Sequence, residues 1–118
     1  MSIHKQIYDT NGWVQIDNVI PKEVISECRD QLLEVIEAVA DSAGIRFTPY
    51  SSIHDRFNEL CDSDRKYGGQ VYDCMRYHPL MWRMASLPQI IDICRQLIEP
   101  KLLFHVHDQL HFRIDRKH

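Results

Sequence analysis

Residues 11–24 read NGWVQIDNVIPKEV, and the fold class turns on how this stretch is parsed. After the Asn11-Gly12 turn, apolar Val14 and Ile16 alternate with polar Gln15 and Asp17, the period of a half-buried strand. Pro21 then stands where a first helical residue is expected, and Glu23 places early negative charge against the helix dipole. Val24, Cys28, Leu32, Val35 and Val39 recur at helical spacing until Gly44 offers a C-terminal stop. A short strand followed by the longest helix of the chain is the expectation.

Beyond Gly44 the pattern weakens. Pro49, the Ser51-Ser52 pair, the charged run Asp62 to Lys66 and Gly68-Gly69 punctuate residues 45–77. That stretch is expected to be a surface excursion with short helices around His54 to Cys61 and before Tyr77, and Gly68-Gly69 reads as a turn. Pro79 opens a short helix over Leu80 to Ala85. Pro88 opens another, whose Ile90, Ile91, Cys94, Leu97 and Ile98 form one apolar stripe ending before Pro100.

From Lys101 onward Leu102, Phe104, Val106, Leu110, Phe112 and Ile114 occupy even positions, while His105, His107, Gln109, His111 and Arg113 occupy odd ones. One long strand is expected, or two with a bulge near Asp108, its apolar face covered by the helices and its polar face turned to water or to a cavity. His105, His107 and His111 share that polar face, with Asp115 and His118 nearby. Alternate side chains on one straight strand stand about 6–7 Å apart, whereas a metal needs three or four converging ligands, so a metal site would require residues from a second strand. His54 and His78, each beside a helix boundary, read as cap or surface residues and receive no role.

With 118 residues, 44 % of them hydrophobic and 26 % charged, the chain is expected to form a single domain over residues 1–118. Fourteen basic against seventeen acidic side chains leave a net charge of −3, which argues against a nucleic-acid partner. No apolar stretch approaches signal-peptide or membrane-span length, so a cytoplasmic protein without membrane contact is expected. Cys28, Cys61, Cys74 and Cys94 are widely spaced with no CxxC pair, as reduced cysteines are. No G-x-S-x-G, P-loop or G-x-G-x-x-G motif is present.

Two blocks in order carry a resemblance. Residues 11–24 look like the opening strand and helix of the phytanoyl-CoA dioxygenase-like family of iron(II)/2-oxoglutarate-dependent oxygenases. His78-Pro79-Leu80, then Leu87-Pro88-Gln89-Ile90-Ile91, Leu97-Ile98 and the strand Phe104 to Ile114, with its His107-Asp108-Gln109-Leu110, look like that family's helices leading into an H-x-DQL-x-K strand. The similarity spans the N-terminal part of the family's domain. Glu99-Pro100 departs from the usual Gly-Pro, Arg113 replaces the common lysine, and no H-x-D or H-x-E tripeptide occurs.

The resemblance implies an α+β fold: N-terminal helices packed on the first strands of a double-stranded β-helix of jelly-roll or cupin type, incomplete in this chain. It implies a non-haem Fe(II) and 2-oxoglutarate chemistry that hydroxylates a small organic substrate, with the iron ligands absent from these residues and the chain inactive alone. On that alignment Gln109, His111 and Arg113 face the cavity near the co-substrate. Arg113 would offer a planar fork to a carboxylate and Gln109 both a donor and an acceptor; equally, these groups satisfy one another at a barrel wall. Open strand edges would favour self-association. The alternative from a different class is a non-catalytic binding or assembly module derived from that fold.

Overall fold

A computed structural model describes residues 3–98. These residues form six α-helices in chain order: α1 (Ile3–Asn11), α2 (Lys22–Ala43), α3 (Ile53–Ser63), α4 (Arg65–Arg76), α5 (Pro79–Ala85) and α6 (Pro88–Ile98). No strand occurs among the described residues. The expected α+β class is therefore corrected to an all-helical arrangement, and the double-stranded β-helix is withdrawn with it. The expected strand over 102–114 lies outside the described residues, as do Gln109, His111 and Arg113.

Residues 13–17 explain why alternation misled. Val14 and Ile16 are half-buried while Gln15 and Asp17 are exposed, so the two faces are those the period predicts. The Gln15 amide donates to Asp17 Oδ1 at 3.0 Å along the exposed face. A strand also needs a neighbour for its backbone ladder, and no strand is present among the described residues to supply one. Asn18, with φ of 59°, then turns the chain through the left-handed region that Asn tolerates, and the segment enters α2 at Pro21.

Helix ends follow their sequence signals. Pro21 flanks the start of α2 with Glu23 in the first turn. At its other end Gly44 takes φ of 70°, letting the Ile45 amide reach Ala40 O at 2.9 Å and the Gly44 amide reach Asp41 O at 3.2 Å, the paired bonds of a Schellman stop. Ser52 Oγ caps α3 by accepting from the Asp55 amide at 3.1 Å, and Asp64 Oδ1 caps α4 by accepting from the Lys66 amide at 3.0 Å. His78 Nδ1 caps α5 by accepting from the Leu80 amide at 3.1 Å, so its Nε2 carries the proton and donates to Gln31 Oε1 at 3.0 Å on α2.

The core lies where α2, α3 and α4 meet. Ile36, Val39 and Ala40 from α2 pack with Phe57 and Leu60 from α3 and Val71 from α4. Full burial of Ile36, Leu60 and Val71 stabilises by roughly 1.5–3 kcal/mol each. Phe57 and Tyr72 meet edge to face, centroids 5.7 Å apart at 88°. Residues 45–77, expected as a surface excursion, thus supply half of the core, and Gly68-Gly69 lies inside α4 rather than in a turn. Gly68 is buried there because α3 crosses closely: a Cβ at this position would stand 2.5 Å from Cys61 Sγ and 3.3 Å from the Phe57 ring.

Candidate functional site

The turn joining α2 to α3 carries the densest set of polar contacts among the described residues. Thr48, Pro49, Tyr50 and Ser51 form a β-turn closed by the Ser51 amide donating to Thr48 O at 3.2 Å. Pro49 at the second position and Tyr50 with φ of 61° at the third match a type II turn, whose third position favours glycine.

Both ends of the turn are tied to α3. Glu59 Oε1 accepts from the Thr48 amide at 3.2 Å and from the Thr48 hydroxyl at 2.5 Å, while its Oε2 is buried with no hydrogen-bond partner among the described residues. Arg56 Nε donates to Ser51 Oγ at 3.3 Å, and its Nη1 pairs with Glu37 Oε1 on α2 at 2.9 Å. The same guanidinium lies 5.5 Å from the centre of the Phe47 ring, a cation–π contact. Arg56 therefore ties the last turns of α2, the connecting turn and the first turn of α3 together.

Beside this turn lies an open cleft of about 270 Å³ lined by Glu37, Asp41, Arg46, Phe47, Pro49 and Arg56 among others. Two carboxylates and two guanidinium groups line it, so it carries no net charge. Thr48, whose hydroxyl donates to Glu59 Oε1, also lines it, and the cleft's mixed charges offer binding contacts to a polar ligand. A second groove of about 390 Å³ runs between α2 and α4, with walls from Val35, Ala38 and Val39 and a rim from Gln70, Asp73 and Cys74.

Cys28 sits where α2 meets α5, its Sγ 3.9 Å from Met84 Sδ. Burial raises its thiol pKa above the usual 9.0, Glu27 adds to the rise, and Arg83 opposes it. Burial and the Glu27 charge both favour the neutral thiol. Arg83 also bridges to Glu27 at 2.7 Å.

Among the described residues no group of three or more His, Cys, Asp or Glu side chains could hold a metal ion, so these residues do not fit an iron centre. Gln109, His111 and Arg113, with His105 and His107, lie outside the described residues. His54 is exposed on the first turn of α3, and His78 serves as the cap expected of a histidine at a helix boundary. No helix among the described residues is long and apolar enough to cross a membrane.

Sequence reading missed Arg56, Phe47, Glu59 and Tyr50. One signal was available: Ser52 three residues before Asp55 is a helix-start pattern, and recognising it turns Pro49-Tyr50-Ser51 from a chain break into a tight turn between two helices. Comparison with family models, with curated proteins and with solved structures finds no match to this chain.

Proposed function

We propose that this chain is the helical N-terminal portion of a non-haem Fe(II)/2-oxoglutarate-dependent dioxygenase that hydroxylates a small organic substrate, and that it carries no iron triad of its own. The observation supporting this is a match of boundaries. The quoted blocks at residues 11–24, 78–80 and 87–91 each straddle a helix start, at Lys22, Pro79 and Pro88. The helix starts thus coincide with the wording three times in one order, while the strand half of the 11–24 block has no strand among the described residues. In this reading α2 to α5 form a rigid scaffold, while Gln109, His111 and Arg113 contribute to the co-substrate pocket and Fe(II) is held by residues other than those described here.

The test uses the full product of the reading frame that encodes these residues, supplied with Fe(II) and 2-oxoglutarate. Succinate formation is expected, and Gln109→Ala or Arg113→Ala is expected to lower it at least tenfold with the thermal midpoint little changed. Failure of that product to bind or turn over 2-oxoglutarate overturns the reading.

A second reading, a non-catalytic binding or assembly module, is favoured by α1 and α6. Neither contains a buried residue, and Ile3 and Ile98 are 62 % and 51 % exposed. A stoichiometric complex that covers these two helices, formed by a product inert toward 2-oxoglutarate, would support it in place of the first.

A further inference from the structure

Asn11 and Gly12 form the corner where α1 ends. Asn11 is the last residue of the helix and is exposed, and Gly12 leads the chain away with φ of 79°. A Cβ on Gly12 would meet nothing within 4 Å, so no neighbour crowds the corner. The Gly12 amide is the last helical donor, bonded to Tyr8 O at 2.7 Å. An asparagine followed by glycine is a self-reactive pair, because the glycine nitrogen can close a five-membered ring on the side-chain Cγ with no Cβ in its way. In the helix that nitrogen is aimed at Tyr8 O instead, so the reaction waits on the loss of one hydrogen bond.

α1 is poorly equipped to keep that bond. Its nine residues are fewer than the roughly 12–15 that an isolated helix needs to persist in water, and none of them is buried. Lys5 Nζ ties it to α6 by donating to Leu97 O at 3.0 Å, six residues before Asn11, so the last turn is free to open without disturbing the tie. The other two asparagines lack this setting. Asn18 precedes Val19, whose branched side chain shields the attacking nitrogen, and Asn58 lies within α3 between the buried Phe57 and Leu60.

From the exposed Asn11-Gly12 corner at the end of a helix with no buried residue, we infer that Asn11 is a self-modifying site, converting to aspartate or isoaspartate in the folded chain and loosening α1 from α6. The Gly12 nitrogen bonds to Asn11 Cγ, the Cγ–Nδ2 bond breaks, and Nδ2 departs as ammonia with the proton of the Gly12 amide. Water then opens the cyclic imide. Addition at Cγ leaves an aspartate side chain, and addition at the Asn11 backbone carbonyl leaves a chain that runs through Cγ as isoaspartate. Water is the one reagent consumed. Either product sets a carboxylate at the negative end of the helix dipole, and isoaspartate also adds a methylene to the backbone, carrying the Gly12 amide away from Tyr8 O. The inference does not rest on the oxygenase reading, whose assay is indifferent to Asn11.

Ageing the 118-residue chain at neutral pH, folded and in parallel in urea, tests it. Proteolytic peptides are followed by mass spectrometry for the gain that accompanies replacement of NH2 by OH. In the folded chain Asn11 should convert at least about tenfold faster than Asn18 or Asn58, and within about tenfold of its own rate in urea, as a site reached by local opening does. Gly12→Ala should slow conversion at least about tenfold by shielding the nitrogen. Alanine is strained at this φ and loosens the turn, so the slowing cannot come from a firmer helix. Lys5→Ala, which removes the tie to Leu97, should speed conversion about twofold or more in the folded chain and leave the rate in urea unchanged. Amides of α1 should exchange hydrogen at least about twofold faster in the purified isoaspartyl chain than in the fresh one. An Asn11 that reacts only in urea, a Gly12→Ala chain that converts at the wild-type rate, no acceleration by Lys5→Ala, or α1 amides that exchange alike before and after conversion overturns the proposal.

Discussion

Two parts of this molecule use the same kind of helix and reach different ends. In the α2–α3–α4 unit, Ile36, Leu60 and Val71 are fully buried. In the α1–α6 pair no residue is buried, although Ile90, Ile91, Cys94 and Leu97 make as clear an apolar stripe as any in the chain. Three helices that meet together enclose their apolar faces. Two lying side by side bury only a seam, and here that seam is reinforced by Lys5 Nζ donating to Leu97 O at the C-terminal end of α6 and pairing with Asp9, each at 3.0 Å. Apolar periodicity thus states that a face needs cover, and it is silent about whether the neighbouring helices provide it.

The sharpest way to break this contrast is truncation on each side. Leu60→Ala should cost about 2–5 kcal/mol, because the α3 site is closed on all sides and a cavity remains. Ile98→Ala should change stability by about 0.5 kcal/mol or less, as half-exposed positions do. Urea unfolding measures both, and equal losses would mean that α6 is packed as tightly as the core.

A second contrast lies within two adjacent residues of α4. Gly68→Ala should destabilise by about 1–3 kcal/mol, since its new Cβ meets Cys61 Sγ and the Phe57 ring. Gly69→Ala, with nothing within 4 Å of its Cβ, should stabilise by about 0.5–1 kcal/mol through helix propensity. If the Gly68 loss reflects crowding, combining Gly68→Ala with Cys61→Ala recovers part of it in a double-mutant cycle. Independent, additive effects would place the cause elsewhere.

These residues also mark how far the sequence could be read. Proline-led starts at Lys22, Pro79 and Pro88 and the Gly44 stop were legible because they are local: each depends on φ, on a missing N–H or on a cap within one turn. The strand at 13–17 was misread because its face alternation is local and correct, but strand formation depends on a distant partner. Within residues 45–77 the short helices around His54 to Cys61 and before Tyr77 were legible and stand as α3 and α4, but their burial and Gly68-Gly69 were misread, for the opposite reason. Gly68-Gly69 has the wording of a turn, and only the approach of α3, a tertiary fact, makes glycine the residue that fits inside α4. Of the candidate site, Gln109, His111 and Arg113 came from aligning the expected strand with the resembled family and lie outside the described residues. The Arg56 and Glu59 contacts join residues 11 and 19 positions apart, a spacing for which no local pattern exists.

Tyr50 tests the comparison at its boundary, where a rigid turn leaves the core. Tyr50→Gly should stabilise the monomer by about 1 kcal/mol or less, relief of left-handed strain being partly offset by glycine's greater freedom when unfolded. Tyr50→Ala keeps the strain and should give no gain. A thermal midpoint raised in both variants would place the benefit in loss of the exposed ring rather than in the backbone.

The smallest effect concerns Cys28, in the N-terminal half of α2, outside the tight core. Burial raises its pKa first, Glu27 raises it further and Arg83 lowers it. Removing each charge should therefore move the thiol in a known direction: Glu27→Gln down, Arg83→Gln up. Alkylation of Cys28 followed by mass spectrometry across alkaline pH should give half-points in the order Glu27→Gln, wild type, Arg83→Gln. Coincident half-points would mean that solvent screens both charges of the Glu27–Arg83 bridge at 2.7 Å, as it does for exposed pairs. The sign for stability follows from proton binding. Between the ordinary thiol value and the raised one the folded chain holds a proton that the unfolded chain has released, so the contribution is complete below about 9.0 and is lost as pH climbs through the folded value. Glu27→Gln narrows that window and Arg83→Gln widens it, which makes alkaline unfolding a second reading of the same three charges.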